Sequence, residues 1–336
     1  MTVGEKEKLG LRPKPYQENF LKKVFLELSK TLIKKDGPVM KNYLEQFFTR
    51  FDYPTEAREV LTAAYDLVQA DAEGKERFDG YLAAYKENMR CDFGAQIQGC
   101  GELAKRLPTS PYTLQLLLFI CHSEHLRELY CEKGLDEQIW HDSMLDLKYK
   151  LFECYEVYGI WGSFVSSWFP RFFMLDTFAL GRLQFEWSKF NREYTGQGVQ
   201  LTAGARVVNI HIPRSGQPLS AELCDDAFAR AAAFYTPQLE ANEPLVFVCG
   251  SWLLYPPHED FLPAKSNLRT FMKYFDIISQ GTHGGDHPDL WRLFDTKEVN
   301  PDRLPANSSL RRAYIDHLKK GGKTGWGHGV FVWNKS

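Results

Sequence analysis

Apolar residues recur every three to four positions through the first half of the chain. Phe20, Val24, Leu28 and Leu32 repeat every four, with lysines between them, which predicts a helix ended at Gly37-Pro38. Tyr43, Leu44, Phe47, Phe48 and Phe51 line one side of a second, over Val39–Phe51. Val60, Leu61, Ala64 and Leu67 mark a third, over Thr55–Ala70. Gly74 reads as a break, and Arg77–Met89 as a further helix. Ser110-Pro111 pairs an N-cap with a first-turn proline and predicts a helix to Glu132, stopped at Gly134. Asp136 caps another, running through Trp140, Met144, Leu147 and Leu151 to Gly159. Residues 1–159 therefore read as an all-α domain and 160–336 as a second domain.

Beyond Gly159 the period shortens. Trp161–Phe173 is aromatic-rich and divided by Pro170. Arg182–Ser188 alternates, with Leu183, Phe185 and Trp187 on one face and Arg182, Gln184, Glu186 and Ser188 on the other, the pattern of a half-buried strand. Arg206–Pro213 alternates likewise. Joined by a loop over Asn191–Gly204, the two predict a long antiparallel hairpin with Gln184, Glu186, Asn209 and His211 on one polar face. Ser220 caps a helix over Ala221–Tyr235. Phe275–Ser279 reads as a short strand and Pro288–Phe294 as one or two helical turns. Ser308 or Ser309 caps a last helix, Leu310–Lys319, stopped at Gly321-Gly322 before a terminal strand, Gly329–Trp333. The second domain is α+β, with mixed strands flanked by helices.

The most apolar strand signal lies between these elements. Leu245–Leu254, bounded by Pro244 and Pro256, suits a strand buried on both faces. A proline-rich crossing, Tyr255–Pro263, leads to Ser266 as an N-cap ahead of Leu268, Phe271, Met272 and Phe275 at helical spacing. A helix start offers unpaired N–H groups and the positive end of a dipole, and Lys265 and Arg269 would add charge for a phosphate. An ordinary strand–helix connection with solvated lysine and arginine is the alternative.

The 336 residues are 44% hydrophobic, 25% charged and 14% aromatic, and carry a net charge of −2. That is an ordinary globular composition with no bulk attraction to nucleic acid or an anionic membrane. Seven scattered cysteines, odd in number and without a C-x-x-C pair, read as reduced thiols of a cytoplasmic protein. MTVGEKEKLG has no apolar core of a signal peptide, and no run is long enough to span a membrane. Two histidine groups bear weighing as metal ligands. His122 and His125 are three apart on a helix without an evident third ligand, and His283 and His287 flank Asp286 in a loop. No metal is expected.

The phrases LDTFALGRLQFE (Leu175–Glu186), NIHIP (Asn209–Pro213), CGSWLLYPP (Cys249–Pro257) and FLPAKSNLRTFMKYFDI (Phe261–Ile277) resemble a bacterial acyltransferase family. Its members join a helical N-terminal domain to a GNAT-like C-terminal domain, and the resemblance covers nearly the whole chain. It implies transfer of an acyl group from acetyl-CoA or another acyl-CoA to an amine on a small molecule or peptide. It further implies that Ser251, Trp252, Leu253 and Leu254 face the pantetheine arm. The diphosphate then meets Ala264–Leu268, with Lys265, Ser266, Asn267 and Arg269. A tyrosine on the last helix, matched by Tyr314, would protonate the departing thiolate. The chain departs from the family in its phosphate loop, which offers Leu262, Pro263 and Ala264 where glycines are usual. A non-catalytic ligand-binding or scaffold module on the same fold is the alternative function.

Amine acylation needs a base, a polarised carbonyl and an acid. Glu186 and His211 are the candidate bases, because both point from the predicted hairpin; solvated strand residues are the plainer account. His258 and Glu259 stand behind them. Cys249 falls in a buried apolar strand, where a thiol is inert.

Overall fold

The computed structural model describes residues 38–285 and 287–334. The helix expected from Phe20 lies outside the described residues. The chain divides into two compact units. One runs to Gly134 and includes Leu147–Met174; the other comprises Leu135–Asp146 and the chain from Leu175 on.

The first unit is helical. α1 (Pro38–Arg50), α2 (Thr55–Ala70), α3 (Ala72–Glu87), α4 (Phe93–Arg106) and α5 (Pro111–Glu132) precede α6 (Glu137–Tyr158), whose later turns belong here. Leu114, Leu116, Leu117, Leu118, Phe119 and Ile120 of α5 are all buried, so this helix is apolar all round and forms the middle of the bundle. The break expected at Gly74 falls at Asp71 instead. The Asp71 carboxylate accepts from the Gly74 N–H at 2.6 Å, which makes Gly74 part of the first turn of α3. Helix α4 has no counterpart in the sequence reading; its glutamines and glycines blur the apolar period, and Asp92 caps it by accepting from Ala95 N–H. A 3-10 turn (Ser166–Trp168) and α7 (Pro170–Phe173) close the unit, held by a hydrogen bond from Tyr85 Oη to the Phe173 carbonyl at 2.8 Å.

The second unit is a six-stranded mixed sheet with helices. Its strands are β1 (Thr177–Leu180), β2 (Leu183–Lys189), β5 (Arg206–His211), β6 (Val246–Ser251), β7 (Asp276–Thr282) and β8 (Gly325–Val332), in the order β1-β2-β5-β6-β8-β7. β2 and β5 pair antiparallel as expected, Gln184 opposite His211 and Glu186 opposite Asn209. The loop between them carries a small hairpin, β3 (Tyr194–Gly196) and β4 (Val199–Leu201). β1 has no counterpart in the expected elements, because four residues buried on both faces show no alternation. The central strand ends three residues early. Ser251 Oγ accepts from the Leu253 N–H at 3.2 Å and turns Trp252–Leu254 into a 3-10 segment. The helices here are α8 (Ala221–Tyr235), α9 (His258–Phe261), α10 (Asn267–Met272), α11 (Leu290–Phe294) and α12 (Ser309–Lys319).

Each face of the sheet has its own cover. Phe228 of α8 packs on Phe185, Phe247 and Phe331, the last two stacked with centroids 5.8 Å apart. On the other face Val207, Val246, Val248, Val330 and Val332 cluster with Phe190, which follows β2, and with Tyr194 and Leu201 of the hairpin. Each fully buried side chain of this kind contributes about 1.5–3 kcal/mol.

Two glycines make a test of this packing. A Cβ on Gly327 would sit 2.0 Å from the Leu254 carbonyl oxygen, whereas one on Gly250 would meet nothing closer than His328 Nδ1 at 3.7 Å. Gly327→Ala is expected to cost more than about 2 kcal/mol and Gly250→Ala at most about 0.5 kcal/mol, read by denaturant unfolding. Equal costs would contradict the packing described.

Candidate functional site

The sheet opens in its middle. β5 and β6 run parallel and pair at Val208↔Phe247 and Asn209↔Val248, and no further. β6 stays paired with β8 along its whole length, from Val246 to Ser251. Ile210–His211 and Cys249–Ser251 therefore flank a gap into which unpaired backbone groups face. Gly250 is exposed there. Openings at the carboxyl ends of neighbouring parallel strands are where ligands bind in such sheets. Two helices begin beyond the gap, α8 after β5 and α10 after β6.

A polar cluster stands at the β5 side. His211 Nε2 lies 2.8 Å from Glu186 Oε1, to which Asn209 Nδ2 donates at 3.1 Å, and Thr177 Oγ1 donates to Glu186 Oε2 at 2.8 Å. Burial alone would push the Glu186 carboxyl up. The His211 hydrogen bond and charge, joined by Thr177 and Asn209, outweigh it and hold the carboxyl at about 2. A carboxylate held that low takes up no proton near neutrality, so Glu186 does not suit the role of base expected for it. It suits a fixed anion that draws the Nε2–H of His211 and leaves the lone pair on Nδ1.

The remaining expected residues are scattered. Tyr314 is only 3% exposed, in a cluster with Leu293, Phe294, Ile315 and Leu318. Its hydroxyl bonds His258 Nε2, itself fully buried. Burial pushes the Tyr314 hydroxyl well above its ordinary range and pulls His258 down to about 4. The pair is a packed one, which does not fit the expected acid. Ser251 spends its hydroxyl on the 3-10 turn, Trp252 packs near Tyr314 at 6.1 Å between centroids, Leu253 is half-buried and Leu254 is buried. Pantetheine pairing along Trp252–Leu254 as extended strand is thus ruled out by the turn. Ser266 caps α10 by accepting from the Arg269 N–H at 3.3 Å, and Arg269 Nη1 donates to the Leu262 carbonyl. Lys265 and Asn267 are exposed, so the start of this helix is open. It spans only six residues.

Three groups have no place in the sequence reading. The loop from Arg214 to Leu219 precedes α8, with Arg214 paired to Asp295 at 2.7 Å and Gly216 at a φ of 72°. Asp146 of α6 is buried and accepts from Gln184 Nε2 at 2.9 Å, on the same sheet face as Glu186. His328 of β8 stands opposite Gly250. Only the contact with Gln184 reveals Asp146, and only the register of the folded sheet reveals His328.

The histidine groups weighed as metal ligands turn to other partners. His122 Nε2 meets Gln96 Oε1 at 2.8 Å, while His125 Nδ1 meets Glu128. His283 and His287 both reach the Thr324 hydroxyl at 3.1 Å, and Asp286 is outside the described residues. Cys249 is buried, and burial pushes its thiol up to about 12.

Residues 42–175 match the profile of an N-acyltransferase N-terminal domain, and residues 177–331 that of a GNAT-like C-terminal domain. No curated protein matches the chain. Solved structures do. An acyltransferase in complex with decanoyl-CoA and teicoplanin is 22% identical over 98% of both chains, with a TM-score of 0.64. An acyltransferase mutant in complex with octanoyl-CoA is 21% identical over 98% of both, also at 0.64. An acyltransferase in complex with decanoyl-CoA is 20% identical over 86% of both, at 0.66. At these identities the likeness is one of fold.

The Glu186 cluster has a pH signature. Its folded pKa, about 2, lies below the ordinary value of 4.5, so its contribution to stability is complete above about pH 4.5 and is lost as pH falls toward 2. Unfolding midpoints of the wild type and Glu186→Gln are expected to differ most at pH 6 and to converge near pH 2.5. A gap that is constant over that range would show the carboxylate to be unstabilised.

Proposed function

Because this chain belongs to the acyltransferases that join an N-acyltransferase N-terminal domain to a GNAT-like C-terminal domain, we propose that it transfers an acyl group from acyl-CoA to a primary amine of a small molecule or peptide. The observation that carries the reading is the Glu186–His211 pair standing at the gap between β5 and β6. The thioester would enter that gap, where the unpaired backbone of His211 and of Gly250 offers hydrogen bonds to pantetheine. His211 Nδ1 would take the proton of the attacking amine as the C–N bond forms. The tetrahedral intermediate then expels the thiolate, and the imidazolium returns the proton to sulfur. The products are an amide and free CoA, and no further acid is needed. Glu186 keeps the ring in the productive tautomer.

Two helix starts compete for the diphosphate. The exposed α10 start keeps Lys265, Ser266 and Asn267 as candidates, but Arg269 is engaged by Leu262. The fifteen-residue α8, with Ser220 as its cap and the loop from Arg214 before it, offers the longer dipole. Medium-chain donors are favoured over acetyl-CoA, because structures of the same fold hold decanoyl- and octanoyl-CoA. A cytoplasmic setting is favoured by seven free cysteines. Among the described residues no helix is long and apolar enough to cross a membrane.

Thiol release from decanoyl-CoA and acetyl-CoA with a panel of primary amines, beside a CoA thermal-shift measurement, tests the proposal. His211→Ala is expected to lower kcat by about 10²–10⁴-fold with the CoA shift unchanged. Full turnover by that variant would remove His211 from the chemistry. A CoA shift without thiol release in the wild type would favour a binding module.

A further inference from the structure

The face of the sheet that carries the Glu186 cluster continues past the gap. Successive outward positions on β5, β6, β8 and β7 form one rung: His211, Gly250, His328 and Ser279. The rung below it, Asn209, Val248, Val330 and Asp276, includes valines covered by the β3–β4 hairpin. The His211 rung contributes no residue to that cluster. Its middle position has no side chain, and Gly250 is exposed. Two histidines thus stand on either side of bare backbone, on strands two spacings apart, or about 10 Å.

The far wall has its own chemistry. His328 Nδ1 is the nearest atom to the space above Gly250. Burial, and then the nearby Arg192 guanidinium, lower the His328 pKa, so its ring is neutral. Arg192 donates to Ser279 Oγ at 2.8 Å and to Asn191 Oδ1 at 3.1 Å, and has no carboxylate partner among the described residues. Trp326, one rung higher on β8, is among the few large hydrophobic side chains left exposed, at 38%. Its indole lies over Gly281, whose Cβ would come within 2.8 Å of the ring. A β-bulge between Ile277 and Ser279 brings the Ser279 hydroxyl onto this face.

We propose that this groove, floored by Gly250 and walled by His211 on one side and by His328, Arg192 and Trp326 on the other, is the acceptor site. Its occupant is a peptide-like amine with an acid group and a flat ring at its far end. The inference rests on the transferase reading for the role of His211, and goes beyond it in naming what the far wall recognises. The amine meets His211, the acid group meets Arg192, and the ring lies on Trp326. A tripeptide spans about 10 Å, the two strand spacings from β5 to β8, where the Arg192 guanidinium lies close enough to His328 to lower its pKa. A simple alkylamine fills none of the far wall.

Gly-Gly-Phe, its C-terminal amide and n-hexylamine serve as probes, with decanoyl-CoA as donor. The wild type is expected to prefer the acid to the amide. Arg192→Gln should raise KM for Gly-Gly-Phe by about tenfold and leave the amide within twofold, because a charge-assisted bond to a carboxylate is lost. Trp326→Ala, a change at an exposed position, should weaken both peptides and spare n-hexylamine. The CoA thermal shift should not move in either variant. Equal use of acid and amide by the wild type, or equal effects of Arg192→Gln on both, would overturn the groove. Calorimetric titration of Gly-Gly-Phe separates this from the transferase reading itself. Peptide binding that Arg192→Gln weakens supports the groove even if no thiol is released, and no binding by the wild type overturns it even if other amines turn over.

Discussion

Everything at the candidate site follows from how little β5 and β6 pair. Two parallel strands that stop bonding after Asn209 and Val248 leave backbone N–H and C=O groups facing one another across a gap. Buried, those groups would cost about 1–3 kcal/mol each. They are tolerable because the gap is open, and they become useful when a ligand supplies the missing bonds. β6 can leave one neighbour because it keeps the other: six consecutive pairs with β8 hold it straight. The valine and phenylalanine layers on the two faces sit below the parting and fix the strands up to it.

The gap also decides the electrostatics beside it. Glu186 is half-buried, which by itself would favour the neutral acid. Three donors converge on it instead, from β1, β5 and the histidine, and reverse the outcome. A carboxylate so committed is an orienting charge for its neighbour. The contrast with Tyr314 and His258 is instructive. Both pairs join a histidine to an oxygen, yet one sits at the opening and the other in a sealed apolar cluster, where burial drives both groups toward neutrality. Position relative to the parting, and not residue type, separates a half-buried arrangement from a sealed one.

Much of this architecture is readable from the chain. Ser110, Ser220, Ser266 and Ser308 cap helices where their sequence contexts say they do, because capping is decided within four residues. The alternation of Arg182–Ser188 and Arg206–Pro213 places Glu186, Asn209 and His211 on one face, since a two-residue period fixes sidedness without long-range information. What escapes the sequence is what only register or distant packing decides. Trp252–Leu254 continues an apolar run yet turns, because a single hydroxyl on Ser251 ends the strand. His328 gains meaning only from lying opposite Gly250, and Asp146 from meeting Gln184 across 38 positions.

The bulge in β7 has a wider implication. One surplus residue, Ile278, separates the stretch that faces Val330 and Gly329 from the stretch that faces His328 and Gly327. Parity along a strand is binary, so it is this extra residue that puts Ser279, and not Ile278, opposite His328 and on the side of Arg192. Were the same residues paired in a regular ladder, Ile278 would stand opposite His328 and the hydroxyl that steadies Arg192 would point to the opposite side of the sheet. A single-codon deletion of Ile278 would therefore straighten this edge of the sheet and leave the polar residues from Ser279 to Thr282 on the sides they now occupy.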